Sequence, residues 1–326
     1  MPEWSGPAFV DLQVNGFAGV DYNAAQTSSD AVSESLDAMC GTGVGLCLPT
    51  IITSTFEHFR DCARRVLAAR HPLVAGLHME GPYISPVDGP RGAHPRRCVR
   101  DASVDDFRRR QEAADGQIRL LTLAPESPGA LAVIEAAVRD GVRVAIGHSA
   151  ASSDQIGDAV RAGATLSTHL GNGCATMQPR HPNLIWDQLA DDRLQASLIA
   201  DGHHLPPATF RVMTRAKSPT RCLLITDAMM AANAPPGTYR LGDLDVIADA
   251  SGRVSAAGAL TLAGSALTMP EAVGHASRWT GVPLAVAAAM ASTQPATYLG
   301  RAPRGQVEVV WSDDLSQVRS VRYRAP

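Results

Sequence analysis

Glu80, His148 and His169 have the residue types and the positions to hold a divalent metal. Each stands at or just past the end of an apolar run, in VAGLHMEGP, VRVAIGHSA and TLSTHLGNG. Two imidazoles and one carboxylate suit a catalytic zinc, and three protein ligands leave a coordination position open to water. Singly, each has a plainer explanation. A buried histidine is commonly a hydrogen-bonded core residue, and a glutamate in a Gly-Pro turn can bond nearby amides. Three at equivalent positions point to one site. Asp227, in LLITDAMM, follows another apolar run and can take a proton from water and pass it to a leaving group; an aspartate there can also cap a helix. His204, in ADGHHLP, can polarise a carbonyl or stabilise an oxyanion. Its neighbour His203 can equally be a packing residue.

These residues need elements to bring them together. Eight short apolar runs read as strands: Ala8–Val14, Val44–Pro49, Leu73–Met79, Ile118–Leu123, Val142–Ile146, Ala164–Thr168, Ala196–Ala200 and Cys222–Thr226. Between them Ser29–Gly41, Phe56–Ala69, Ala130–Arg139, Ser153–Ala162 and Pro207–Lys217 read as helices. Continuously apolar strands suit a parallel sheet covered by helices. Ligand-capable residues follow nearly every strand: Gln13 and Asn15, His78 and Glu80, His148, His169, Asp201 with His203 and His204, and Asp227. A doubly wound open sheet would gather its site at one switch point, whereas a barrel spreads it around the C-terminal mouth. The expected fold is therefore α/β, a (β/α)8 TIM-like metallohydrolase barrel with a small β appendage. The barrel and its trailing helices, Pro270–Arg278 and Leu284–Ser292, take residues 8–235 and 259–300. The appendage takes residues 236–258 and 301–326, with strands expected at Tyr239–Ala248, Gly252–Ser255, Gln306–Trp311 and Val318–Tyr323.

Composition narrows the function. The chain has 326 residues, enough for a large core, and 29 basic against 32 acidic residues, so the basic excess of a nucleic-acid binder is missing. The N-terminus has no basic stretch followed by an apolar one, and no apolar run nears 18 residues; a cytoplasmic protein without membrane or nucleic-acid partners is expected. The six cysteines show no CxxC spacing and read as free thiols.

The segments DLQVNGFAGVDYN, HMEGPYISP with RGAHP, GHSAASSDQI, THLGNG, ADGHHLPP, TDAMMAA and LAGSALTM resemble, in order, those of the N-acetylglucosamine-6-phosphate deacetylases of the amidohydrolase superfamily. The resemblance runs from Asp11 to Met269. It implies that Glu80, His148 and His169 are metal ligands, that Asp227 is the general base and acid, and that His204 contacts the substrate carbonyl. It further implies that Ala93, His94, Asn172, Gly173 and Arg180 hold a phosphorylated sugar and that Leu262, Ala263 and Gly264 form a substrate-contacting turn. A homodimer is implied as well.

Many superfamily members carry His-x-His on the first strand and bridge two metals with a carboxylated lysine. Here the pair is Gln13 and Asn15, poorer ligands, and the sole lysine, Lys217, lies in an expected helix away from any strand end. One divalent ion is expected, zinc first, with iron or manganese also suited to the donor set. Other departures touch the substrate region. The family's Asn-Ala-Met reads Asn172-Gly173-Cys174, and its Arg-Glu-Pro-Gly reads Arg180-His181-Pro182-Asn183. The family's residues ahead of the first barrel strand are also largely missing, so a reduced appendage is expected. Three readings stand: a deacetylase of N-acetylglucosamine 6-phosphate or a close N-acetyl amino sugar; an amidohydrolase of the same mechanism acting on an unphosphorylated N-acyl amine; and a non-catalytic sugar-binding barrel. Complete retention of Glu80, His148, His169 and Asp227 argues against the last.

Overall fold

The computed structural model describes residues 1–241, 244–258 and 261–326. Eight parallel strands follow one another around a ring: β1 (Phe9–Val14), β2 (Val44–Ile52), β3 (Leu77–Glu80), β4 (Ile118–Leu123), β5 (Arg143–Ile146), β6 (Leu166–Ser167), β7 (Gln195–Ile199) and β8 (Cys222–Ile225). The seam between β1 and β8 closes just beyond β8. The Asp227 amide donates to the Gln13 carbonyl at 3.0 Å and the Asn15 amide to the Ala228 carbonyl at 2.7 Å. The expected barrel is therefore the observed one. The sequence run at 73–79 contracts to Leu77–Glu80, because Gly76 has a positive φ and Leu73 and Ala75 pair with Cys47 outside the strand.

The helices begin where side chains can replace missing backbone acceptors. Ser28, Thr55, Ser103 and Ser152 each accept a hydrogen bond from the amide three residues on. They start α1 (Ser29–Gly41), α2 (Phe56–Ala68), α3 (Val104–Ala113) and α5 (Ser153–Ala162), with α4 (Ala130–Arg139) between the last two. Next come α6 (Leu184–Ala190), α7 (Pro207–Lys217), α8 (Met269–Thr280), α9 (Leu284–Ala291) and α10 (Thr293–Leu299). Two barrel helices escape the hydrophobic pattern. In α3, VDDFRRRQEA buries only Phe107, Arg110 and Ala113, and α6 is only two turns long.

The strands expected in one appendage form two separate sheets. Glu3–Pro7, Gln306–Trp311 and Val318–Arg324 make an antiparallel sheet fixed to the starts of β1 and β2, with the Ala8 amide donating to the Gly305 carbonyl at 3.2 Å. The run expected at Tyr239–Ala248 is a hairpin, Gly237–Leu241 with Leu244–Ala248, whose linking residues 242–243 lie outside the described ones. With Val254–Ala256 it forms the second sheet, which has its own small core of Val246, Ala248, Val254, Ala263 and Met229. This sheet stands beside the barrel mouth, and Leu241 lines the cavity there.

Lys217 explains how the short α6 is held. Its ammonium, on a buried residue, donates to the carbonyls of Gln188 at 2.7 Å and Asp191 at 2.6 Å, at the end of that helix. Cations stabilise helix C-termini, and hydrogen bonds involving a charged group are worth more than neutral ones. Replacement Lys217→Met should lower unfolding free energy by about 2–4 kcal/mol in denaturant titrations, since it leaves buried carbonyls unpaired.

Candidate active site

At the C-terminal mouth, the strand ends converge on one buried cluster. Glu80 ends β3, His148 follows β5 and His169 follows β6. Glu80 Oε1 lies 3.1 Å from His148 Nε2 and 3.1 Å from His169 Nε2, and the two imidazole nitrogens are 3.1 Å apart. Ligands around a tetrahedral zinc lie about 3.3 Å from one another, given bond lengths of 2.0–2.2 Å. The three atoms therefore match one coordination face without rearrangement. His148 Nδ1 donates to the Pro90 carbonyl at 2.9 Å, which leaves Nε2 as the nitrogen that can exchange a proton for a cation. Burial opposes charge on Glu80, yet the two histidine hydrogen bonds hold its carboxyl well below the usual range. The donor set fits a divalent ion.

Gln13 and Asn15 occupy the first-strand positions and serve the carboxylates. Gln13 Nε2 donates to Glu80 Oε1 at 2.9 Å and to Asp227 Oδ1 at 3.2 Å, and Asn15 Nδ2 donates to Asp227 Oδ1 at 2.7 Å. Asp227 is buried, and that burial together with the Glu80 charge raises its pKa. A raised pKa makes this carboxylate a better acceptor for a proton from water. His204 is tied to Asp201, whose Oδ2 accepts from its Nδ1 at 2.6 Å and whose Oδ1 accepts from its backbone amide at 2.8 Å. Burial alone would lower the His204 pKa, but the Asp201 hydrogen bond and charge outweigh it and raise it. Asp201, one of the ligand-capable residues expected at the strand ends, instead clamps His204, which the Asp-x-x-His spacing allows.

A cavity of ≈ 710 Å³ opens over the cluster. Of the residues expected to hold substrate, Ala93, His94, Asn172, Gly173, His204, Leu262, Ala263 and Gly264 line it. The His94 ring stands 4.2 Å from that of His148, and burial followed by the His148 charge takes its pKa down to about 3, so it is neutral. Gly173 has φ 55°, and a Cβ there would lie 2.9 Å from His148 Nδ1, so glycine lets this loop close on the ring. Ser265 tethers the Leu262–Gly264 turn, since its amide donates to the Asp227 carbonyl at 3.0 Å. Arg180 is exposed and does not line the cavity. His203 also lies outside it, with Nε2 3.1 Å from the Ser251 carbonyl. His78 lies one layer below the mouth, between Thr50 Oγ1 at 3.3 Å and Thr122 Oγ1 at 2.8 Å. Among the described residues, Glu80, His148 and His169 are the one group of His, Cys, Asp and Glu placed to hold a metal ion.

The sequence profile of the amidohydrolase family matches residues 6–318. The chain is 35% identical to an N-acetylgalactosamine-6-phosphate deacetylase of Escherichia coli over 299 residues, covering 90% of this chain and 78% of that protein. This chain belongs to the amidohydrolase family, in its N-acetylglucosamine-6-phosphate deacetylase branch. It is accordingly a hydrolase of linear amide bonds. The N-acetylglucosamine-6-phosphate deacetylase of Vibrio furnissii is another relative in this branch, 33% identical with 90% of this chain and 73% of that protein covered. Among solved structures, a variant of the Mycobacterium smegmatis deacetylase in complex with N-acetyl-D-glucosamine-6-phosphate superposes with a TM-score of 0.87 at 33% identity. That match covers 98% of this chain and 85% of the other.

One buried carboxyl beneath the site of this amidohydrolase gives a pH test. Burial takes the Asp11 pKa up to about 7, against the opposing hydrogen bonds from Thr226 and the Gln13 amide. The folded pKa lies above the unfolded value, so between about pH 4 and 7 the unfolded chain binds fewer protons at this group. Stability from Asp11 is therefore lost as pH rises, by about 1.4 kcal/mol per unit inside that window. Thermal unfolding at pH 5 and pH 7 should show this slope in the wild type and its loss in Asp11→Asn. An unchanged slope would assign the titration to another group.

Proposed function

We propose that this amidohydrolase removes the acetyl group from an N-acetylhexosamine 6-phosphate, with N-acetylglucosamine 6-phosphate the foremost candidate, and releases acetate and the free amine. The observation that carries this reading is the meeting of Glu80, His148, His169, Asp227 and His204 around one cavity. The substrates named for the Escherichia coli and Vibrio furnissii relatives support the choice of sugar. Glu80, His148 and His169 would hold one divalent ion, zinc first; Gln13 and Asn15 support a single ion because their amides already serve Glu80 and Asp227. When bound, that ion supplies Lewis-acid polarisation and a lowered pKa for water.

Asp227 takes a proton from the attacking water and later gives it to the departing amine, which would otherwise be a very poor leaving group. Its raised pKa favours the uptake of that proton. His204, held by Asp201, is placed to polarise the carbonyl or stabilise the negative charge that develops on its oxygen. Ala93, His94, Asn172, Gly173 and the turn Leu262–Gly264 would enclose the sugar. We assign the catalytic body to residues 8–235 and 259–300 and the appendage to 236–258 and 301–326.

The position of Arg180 favours a second reading. Its exposure outside the cavity removes one phosphate ligand from this chain's own site and supports an unphosphorylated N-acyl amine as substrate. Under the first reading, Arg180 would reach the sugar phosphate across a homodimer. Exposed Met177 and Trp186, which flank it in sequence, support such an interface. Action in the cytoplasm is part of the proposal, and among the described residues no helix is long and apolar enough to cross a membrane.

Two experiments test these assignments. Amine release should be faster from N-acetylglucosamine 6-phosphate than from N-acetylglucosamine, with about one metal ion per chain in the same sample. Faster turnover of the unphosphorylated sugar would select the second reading. Asp227→Asn should cut turnover by at least about 10²-fold, the low end for general acid–base catalysis, while metal content holds. Near-normal turnover in that variant would remove the proposed proton transfers.

A further inference from the structure

A second cavity lies at the opposite end of the barrel, and the chemistry at the mouth does not use it. It measures ≈ 350 Å³ and is lined by Arg119, Arg143, Arg301, Thr165, Gly141 and Gly163 among others, with no acidic side chain. Arg119 and Arg143 begin β4 and β5, Thr165 precedes β6, and Arg301 follows α10. Among the described residues, none of these three arginines forms an ion pair with a carboxylate. Elsewhere in this chain arginines pair with aspartate or glutamate on their own or a neighbouring element, as Arg110 does with Asp106 and Arg193 with Asp191.

Of the three arginines, Arg119 is half-buried and Arg143 and Arg301 are exposed at the rim of the cavity. Arg119 Nη2 donates to Gln117 Oε1 at 3.2 Å, while its Nε is buried without a hydrogen-bond partner. Gly76 makes room for this side chain, since a Cβ there would lie 2.3 Å from Arg119 Cγ. The Arg143 guanidinium lies 5.3 Å from the centre of the Tyr298 ring, and the Tyr298 hydroxyl is 3.0 Å from Thr165 Oγ1. Arg119 and Arg301 line the same cavity, and burial followed by the Arg301 charge lowers the Arg119 pKa. The C-termini of α4 and α5 open on this end of the barrel and offset part of the repulsion, yet among the described residues no hydrogen bond joins the three guanidiniums to those carbonyls.

We infer that Arg119, Arg143, Arg301 and Thr165 form a second ligand site, for the dianionic phosphate of a small phosphate monoester. Guanidinium forks match phosphate oxygens in pairs, and three around one cavity neutralise a dianion where an ammonium or neutral ligand would be repelled or left unpaired. The volume exceeds that of inorganic phosphate and leaves space for a small esterified group. Because a ligand there binds only the folded barrel, it stabilises the protein by mass action. This site is independent of the activity proposed for the mouth.

The test uses the full chain with two probes, inorganic phosphate and glucose 6-phosphate, the second of which has no acetamide. Calorimetric titration and thermal midpoints are read against sodium chloride of equal ionic strength. Both probes should bind the wild type saturably and raise its midpoint, the ester more tightly. R143Q/R301Q should weaken both by at least about tenfold, with a far-ultraviolet circular dichroism spectrum like that of the wild type. Phosphate bound at the mouth is untouched by these changes, so the difference isolates the lower cavity. Should the double variant not fold, R301Q alone, at an exposed position, serves the same comparison. Affinities for both probes equal to those of the wild type in a folded variant would overturn the inference.

Discussion

The mouth of this barrel is organised around one buried carboxylate oxygen. Glu80 Oε1 is met by Gln13 Nε2 from β1, His148 Nε2 after β5 and His169 Nε2 after β6. A charge buried that deeply is costly unless it is fully surrounded by donors or a cation. The strands that supply those donors must therefore hold their register to within a hydrogen bond. That demand reaches the backbone as well. His148, His169 and Asp227 all adopt positive φ, at 50°, 32° and 49°, a region that side-chain-bearing residues seldom occupy. Three such residues at the ends of β5, β6 and β8 are strain held in place by the surrounding barrel, and they lie where pre-organised groups are most useful.

The same network explains why the chain keeps amides rather than histidines on its first strand. An amide at Gln13 can donate to Glu80 and Asp227 at once, and Asn15 adds a further bond to Asp227. Two like-charged carboxylates are thereby kept near each other with a donor between them. Charge at the second pole of the site is managed in another way, through Asp201 and His204 as an adjacent acid and base on one turn.

Much of this was legible in the chain. The eight apolar runs are parallel strands buried on both faces, so hydrophobicity marks them directly, and ligand-capable residues at their ends mark the mouth. Less visible were elements whose signal is weak in any one window. α3 is mostly charged, α6 is two turns long, and the Glu3–Pro7 strand pairs with a segment three hundred residues away. Pairings of that kind are set by contacts between distant parts of the chain, which no local pattern records. At the site, residue type pointed to the group of Glu80, His148 and His169 that could hold a metal, but the contacts of the Pro90 carbonyl and of the lower layer of Thr50, His78 and Thr122 depend on geometry alone.

Lys217 leaves a broader mark on the molecule than its place beneath α6 suggests. As the sole lysine, and a buried one, it takes the chain's only side-chain primary amine out of contact with solvent. The cationic side chains that this protein shows to its surroundings near neutral pH are consequently arginines rather than lysines. Acylating labels, imine-forming aldehydes and amine-directed cross-linkers find no lysine to attack on the native surface. Reactivity of Lys217 toward such a reagent would report the opening of its helix cap, making one buried residue an internal gauge of local unfolding.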